Sequence, residues 1–258
     1  MNYPKALIAG TLFSLLAAAA FFVPGFYTKT AHADTTCGVT SEEVAQIAVI
    51  QNDPMLTTSD EIQQELALRK QLVTITIVCA EQDVKTLQTD LQSAPTSTDA
   101  VLQSQLLGNL NEASGFYNAE LIKLNGVGIR GTEVIAQEIL NWRQSTFIPL
   151  SENVNNFILW SGNQNLFGVA QARMDETQSA VDFLEIASPN AGLQTELDAA
   201  VTSLSNAQSE NTAAEQALAQ GLPPDQSLSL IKQSLASLAA TYQDFSTIGT
   251  LINGILPQ

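Results

Sequence analysis

Histidine is almost missing from this sequence, and His32 is the only one. It lies in an N-terminal stretch expected to be removed, so Ser-His-Asp and Cys-His catalysis are excluded from the mature chain. The same lack takes away the imidazoles of zinc sites and of Glu-x-x-His di-iron bundles. Cysteine is scarce as well. Cys37 and Cys79 stand alone, too few for a thiolate zinc site. No D-x-[DN]-x-[DN]-G calcium loop occurs, and the doublets Asp60-Glu61 and Asp175-Glu176 read as solvated helix surface. Carboxylate-only catalysis needs a defined pair of acids, and no pair stands out among 26. No metal, no cofactor and no enzymatic activity are expected.

Basic residues are few. Ten Lys and Arg face 26 Asp and Glu, for a net charge of −16. A surface of that sign repels phosphate backbones, which argues against nucleic-acid partners. It also offers no grip on anionic lipid.

Long apolar runs are confined to the N-terminus. Lys5 is the only charge before residue 29, an apolar stretch runs from Ala6 to Val23, and Pro24-Gly25 ends it. Ala31 and Ala33 then supply the two small residues a signal peptidase reads, so residues 1–33 are expected to be a signal peptide. The alternative is an uncleaved single-pass anchor, because the run reaches the lower limit for spanning a bilayer. Cleavage would remove Lys5 and Lys29, leaving eight basic residues against 26 acidic ones, a net charge of −18. The remainder, residues 34–258, is expected to form one domain outside the cytoplasm: secreted, periplasmic or on the cell surface. Oxidising conditions there favour a Cys37–Cys79 disulfide. It would close a loop of roughly 40 residues and contribute ~3–4 kcal/mol in the chain-entropy model.

What the sequence does have is helical periodicity. Glycine and proline fall mostly between periodic stretches, as helix punctuation does. A short helix is expected over Ser41–Gln51. A long one follows from Ser59 to about Ser93, with the seam Val73, Ile77, Ala80, Val84, Leu87, Leu91 at coiled-coil spacing. Its β-branched run from Leu72 to Val78 could be a strand in isolation, but the helical seam passes through it. The next helix runs from about Asp99 to Leu124, ending at Asn125-Gly126. A helical stretch from Thr132 to about Ala187 should be kinked or split at Pro149, which lacks an amide hydrogen. Ser161 to Asn165 interrupts its apolar face.

Two further helices complete the pattern. One, from about Leu193 to Gln220, has a weak seam through Leu197, Val201, Leu204, Gln208, Asn211, Glu215 and Leu218, and is expected to be the most exposed. The last steps through Leu228, Ile231, Leu235, Leu238, Tyr242, Phe245, Gly249, Ile252 and Leu256, a sustained heptad. The fold class is therefore all-α: an elongated antiparallel helical bundle, or long helical hairpins.

Two motifs are weighed and set aside. Gly126, Gly128 and Gly131 match a dinucleotide-binding spacing, but a helix precedes them where a strand is needed. Ser229 and Lys232 match S-x-x-K without the S-D-N and K-T-G elements that go with it.

The aromatics are unevenly spread. Eight of the ten after residue 33 fall between Phe116 and Phe183. Trp142, Phe147, Phe157, Trp160 and Phe167 flank Pro149 and form the candidate contact patch, either core at a helix junction or a ligand or protein surface. The function expected is an exported, non-enzymatic helical scaffold acting through a protein partner or self-association. The alternatives are a membrane-tethered sensor or ligand-binding bundle, and a membrane-acting bundle of the pore-forming kind.

Overall fold

The computed structural model describes residues 39–95, 99–187 and 191–255. The expected signal segment, its Ala31 and Ala33 cleavage site, Cys37, Pro189-Asn190 and Leu256 lie outside them. Among the described residues are seven α-helices, one π-helical turn and no strand. The protein is all-α. The helices are α1 (Ser41–Gln51), α2 (Thr58–Ser93), α3 (Ala100–Leu124), α4 (Ile129–Trp142), α5 (Ile148–Ala187), α6 (Ala191–Ala219) and α7 (Pro224–Ile255). The π turn, Arg143–Phe147, joins α4 to α5. None of these helices is long and apolar enough to cross a membrane. The described chain divides into two compact units, residues 39–158 and 159–255.

In the first unit the helix starts are fixed by side chains. Thr40 forms a capping box with Glu43: its hydroxyl accepts from the Glu43 amide, and the Glu43 carboxylate accepts from the Thr40 amide at 2.8 Å. Thr57 caps α2, which begins at Thr58, one residue before the expected Ser59, and Asp60 and Glu61 fill the first turn. Asp99 caps α3 by accepting from the Val101 and Leu102 amides. The β-branched run in α2 is helical. Thr74 and Thr76 donate to the carbonyls of Lys70 and Leu72 one turn back, so their hydroxyls are satisfied within the helix. The whole expected α2 seam, Val73 to Leu91, is buried.

Helix α3 packs on α2 with Leu102, Leu106, Leu110, Ala113, Tyr117 and Leu124 buried. Gln103 Nε2 donates to the Leu91 carbonyl at 2.6 Å, and Gln88 Nε2 to Asn111 Oδ1 at 2.9 Å, tying the two helices. Glu120 is buried in the same row. One carboxylate oxygen meets Lys123 at 2.6 Å, while the other, Oε2, is buried with no hydrogen-bond partner among the described residues. Cys79 is half-buried midway along α2, and its thiol is not free.

The second unit holds the rest of α5 with α6 and α7. Its core joins Ala170, Met174 and Val181 of α5 to Leu193, Leu197, Ala200, Leu204 and Ala207 of α6, and to Leu238, Phe245, Ile248 and Ile252 of α7. Helices α6 and α7 approach closely, with many Cα atoms within 8 Å. Gly221 makes the turn possible. Its φ of 62° is left-handed, and the Gly221 and Leu222 amides donate to the carbonyls of Leu218 and Ala217 in a Schellman cap.

Two expectations need correction here. The α6 seam is not Val201, Gln208 and Glu215; Val201 is 45 % exposed, and the buried positions are Ala200, Ala207 and Ala214. Helix α6 nonetheless carries a buried strip along its length, made of Leu193, Leu197, Leu204 and Leu218 with Ala200, Ala207, Ala214 and Ala217 between them. In α7 the buried row is Ser227, Ile231, Ser234, Leu238, Thr241, Phe245, Ile248, Ile252. Leu228, Leu235, Tyr242 and Gly249 are only half-buried.

The physical reason is size matching. Counting outward from the turn places Leu218 level with Ser227, Ala214 with Ile231, Ala207 with Leu238, Leu204 with Thr241 and Ala200 with Phe245. Flanking hydrogen bonds from Ser237 to Glu210 (2.7 Å) and Ser203 to Asp244 (3.2 Å) fit this register. From Ala200 to the turn small faces large at each of these levels, which lets the backbones come close. Farther from the turn Leu197 and Leu193 fall level with Ile248 and Ile252, and both helices are bulky there. The buried hydroxyls of Ser227, Ser234 and Thr241 donate to carbonyls of their own helix, which removes the cost of burying them.

The interruption of the apolar face at Ser161 to Asn165 does not break the helix, and α5 is continuous there. Ser161 is buried, and Gln164 exchanges hydrogen bonds with the Asn211 side chain at 3.0 and 3.1 Å.

Candidate functional site

Proline sets up the site. Pro149 cannot donate to the Ser145 carbonyl, and its ring would crowd that oxygen in a regular helix. The chain answers with the π turn just before it: the Ile148 amide reaches back five residues to the Arg143 carbonyl. Pro149 then occupies the second position of α5, within the first turn, where proline is tolerated. The irregularity expected at Pro149 is thus displaced one turn towards the N-terminus.

The widened turn gathers four rings within the first unit. Trp142 stacks on Phe116 of α3, centroids 4.1 Å apart and planes 15° from parallel. Tyr117 meets Trp142 edge-on at 5.3 Å and Phe147 at 6.0 Å. Arg143 lies with its guanidinium 5.2 Å from the Phe147 centroid, donating to Tyr117 Oη at 3.4 Å and to Asp83 at 3.3 Å. Burial pushes the Tyr117 phenol up to about 12, and the Arg143 charge opposes that shift.

Beside this cluster a shallow groove of about 240 Å³ opens to solvent. Asn109, Glu112, Ala113 and Phe116 line it from α3, Trp142 from α4, Thr146 from the π turn and Leu150 from α5. Phe116 and Trp142 are half-buried, whereas Asn109 and Glu112 are exposed. Such a groove can bind; it holds no nucleophile paired with a base.

The expected patch is only partly assembled. Trp142 and Phe147 come together, 6.3 Å between centroids. Phe157 is fully buried in the first unit. Trp160 belongs to the second unit, is 1 % exposed, and donates its indole N–H to the Asn211 carbonyl at 3.3 Å. Phe167 packs half-buried against the α5–α6–α7 core. Sequence spacing missed Phe116, Tyr117, Arg143 and Asp83, which reach the cluster from α3, the π turn and α2. The one signal in the sequence was the adjacent pair Phe116-Tyr117, whose rings both meet Trp142.

Elsewhere, the glycine-rich segment forms the turn between α3 and α4, with Gly128 as the N-cap of α4. Ser229 is exposed and accepts a hydrogen bond from Gln233. Among the described residues no group of three or more His, Cys, Asp or Glu could hold a metal ion. No family model, curated protein or solved structure matches the chain.

Proposed function

We propose that the chain is an exported, non-enzymatic helical scaffold that works through protein contacts at the cell surface or in the extracellular space. The supporting observation is the Phe116–Trp142 groove. Two aromatic rings stand half-exposed on a helical framework beside the exposed Glu112 carboxylate, and aromatic anchors of this kind are enriched in protein interfaces. Its volume of about 240 Å³ is below the ~300–1,000 Å³ of small-molecule sites and suits one or two side chains of a partner. The Cys37–Cys79 bridge belongs with this reading, as a staple for a chain outside the reducing cytoplasm.

The test is a photo-reactive residue at Asn109 in the native host. A discrete protein adduct, lost in Trp142→Ala and absent from a control position such as Ser209, is the expected result. No adduct at position 109 above the control in any cell or medium fraction would overturn the proposal.

A further inference from the structure

We infer that the groove seats a cationic side chain, an arginine or lysine from a basic segment of a partner protein; this rests on the protein-contact reading above. Its lining carries one carboxylate, Glu112, and no base. Two stacked rings stand beside that carboxylate, and ring quadrupoles attract cations. Arg143, next in sequence to Trp142, does not fill the role. It is turned onto Phe147 and Asp83.

Among the described residues the protein uses this chemistry twice. Arg143 lies 5.2 Å from the Phe147 centroid, and Arg173 lies 5.8 Å from that of Tyr242. Guanidinium on an aromatic ring is thus a contact that these helical surfaces form readily.

Charge balance supplies the direction. Several of the chain's own cations are held by its own acids: Arg69 by Glu65 and Glu133, Lys85 by Glu81, Lys123 by Glu120 and Glu138. With a net charge of −16, the surface draws a basic segment towards the groove. A second copy of this chain carries the same net charge of −16 and is repelled overall, so the occupant is a different, basic protein.

The experiment titrates the full chain with three peptides, acetyl-Gly-Gly-X-Gly-Gly-amide with arginine, citrulline or leucine at X. Binding is read at the Trp142 indole N–H by NMR, with chitobiose as a sugar control. Arginine is expected to bind saturably and about tenfold more tightly than its neutral isostere citrulline. Phe116→Leu keeps apolar bulk but removes a ring, and Glu112→Gln removes only charge at an exposed position; each should weaken arginine by about three- to tenfold. Equal binding of citrulline or leucine would overturn the inference. So would undiminished arginine binding in both variants, which would mean diffuse acidity, or stronger binding of chitobiose, which would mean a sugar site. If the position-109 adduct persists without arginine binding, the cation inference fails and the protein-contact reading stands. Loss of both removes both.

Discussion

The two hairpins of this protein fill their seams in opposite ways. Between α2 and α3 the buried row is mostly bulky: Val73, Ile77, Val84, Leu87 and Leu91 meet Leu102, Leu106, Leu110 and Tyr117. Large against large leaves helices farther apart and admits irregular guests, here the Glu120 carboxylate and the Gln103 amide. Between α6 and α7, alanine on one side meets isoleucine, leucine or phenylalanine on the other. Close packing there depends on shape from Ala200 to the turn, and the polar groups buried are hydroxyls already satisfied by their own helix. The first hairpin tolerates chemistry in its interior. The second trades that tolerance for fit, and it is the first that carries the aromatic cluster and the groove.

The sharpest way to break this contrast is to disturb fit in the second hairpin. Ala207→Leu should destabilise by about 1–3 kcal/mol, because the added methylenes have no room level with Leu238. Urea unfolding measures it. The double variant Ala207→Leu with Leu238→Ala should recover much of the loss, since it moves the large residue to the other helix. No recovery would mean the two positions are not level.

A second probe concerns alkaline pH. Because burial raises the Tyr117 phenol to about 12 in the folded state, its stabilising contribution is fully present below the unfolded value of about 10. It is lost as pH rises through about 12. Tyr117→Phe should flatten the fall in urea midpoint across that window. Tyr242 is also raised, chiefly by burial with Arg173 opposing, so some slope should remain in the variant. An unchanged slope would show that Tyr117 is solvated.

The smallest effect expected is at Glu120. Its Oε2 is buried without a partner among the described residues, so Glu120→Leu should be neutral or stabilise by about 1 kcal/mol. The thermal midpoint reads it, and a drop of several degrees would mean that the carboxylate holds α3 in place through Lys123.

Helices and their boundaries were legible because caps and punctuation are local. Thr40, Asp99, Gly126 and Gly221 each mark an end within a residue or two. The α2 seam was legible because its bulky residues lie on one strip. The α6–α7 seam was not. Alanine carries almost no hydrophobic signal, and a buried serine looks solvated until its hydroxyl is seen to bond its own helix. The α7 heptad read from sequence blended two neighbouring strips, one toward α6 and one bearing Tyr242, which lies beneath Arg173 of α5. The candidate site fared similarly. Trp142 and Phe147, both near Pro149, do come together, but Trp160 and Phe167 lie farther along α5 and belong to the second unit. Their true companions, Phe116 and Tyr117, come from another helix, and a single sequence holds no record of that pairing.

The alternation between α6 and α7 also limits how one helix could slide along the other under a pulling force. A slip of one level would bring bulk against bulk and leave gaps between small residues. The next arrangement in which sizes match again lies a heptad away, roughly 10 Å at the helical rise. That step would carry Asn211 away from Gln164 and from the Trp160 indole that donates to its carbonyl. The hairpin therefore behaves as a ratchet with a single seated tooth, stiff against shear along its axis.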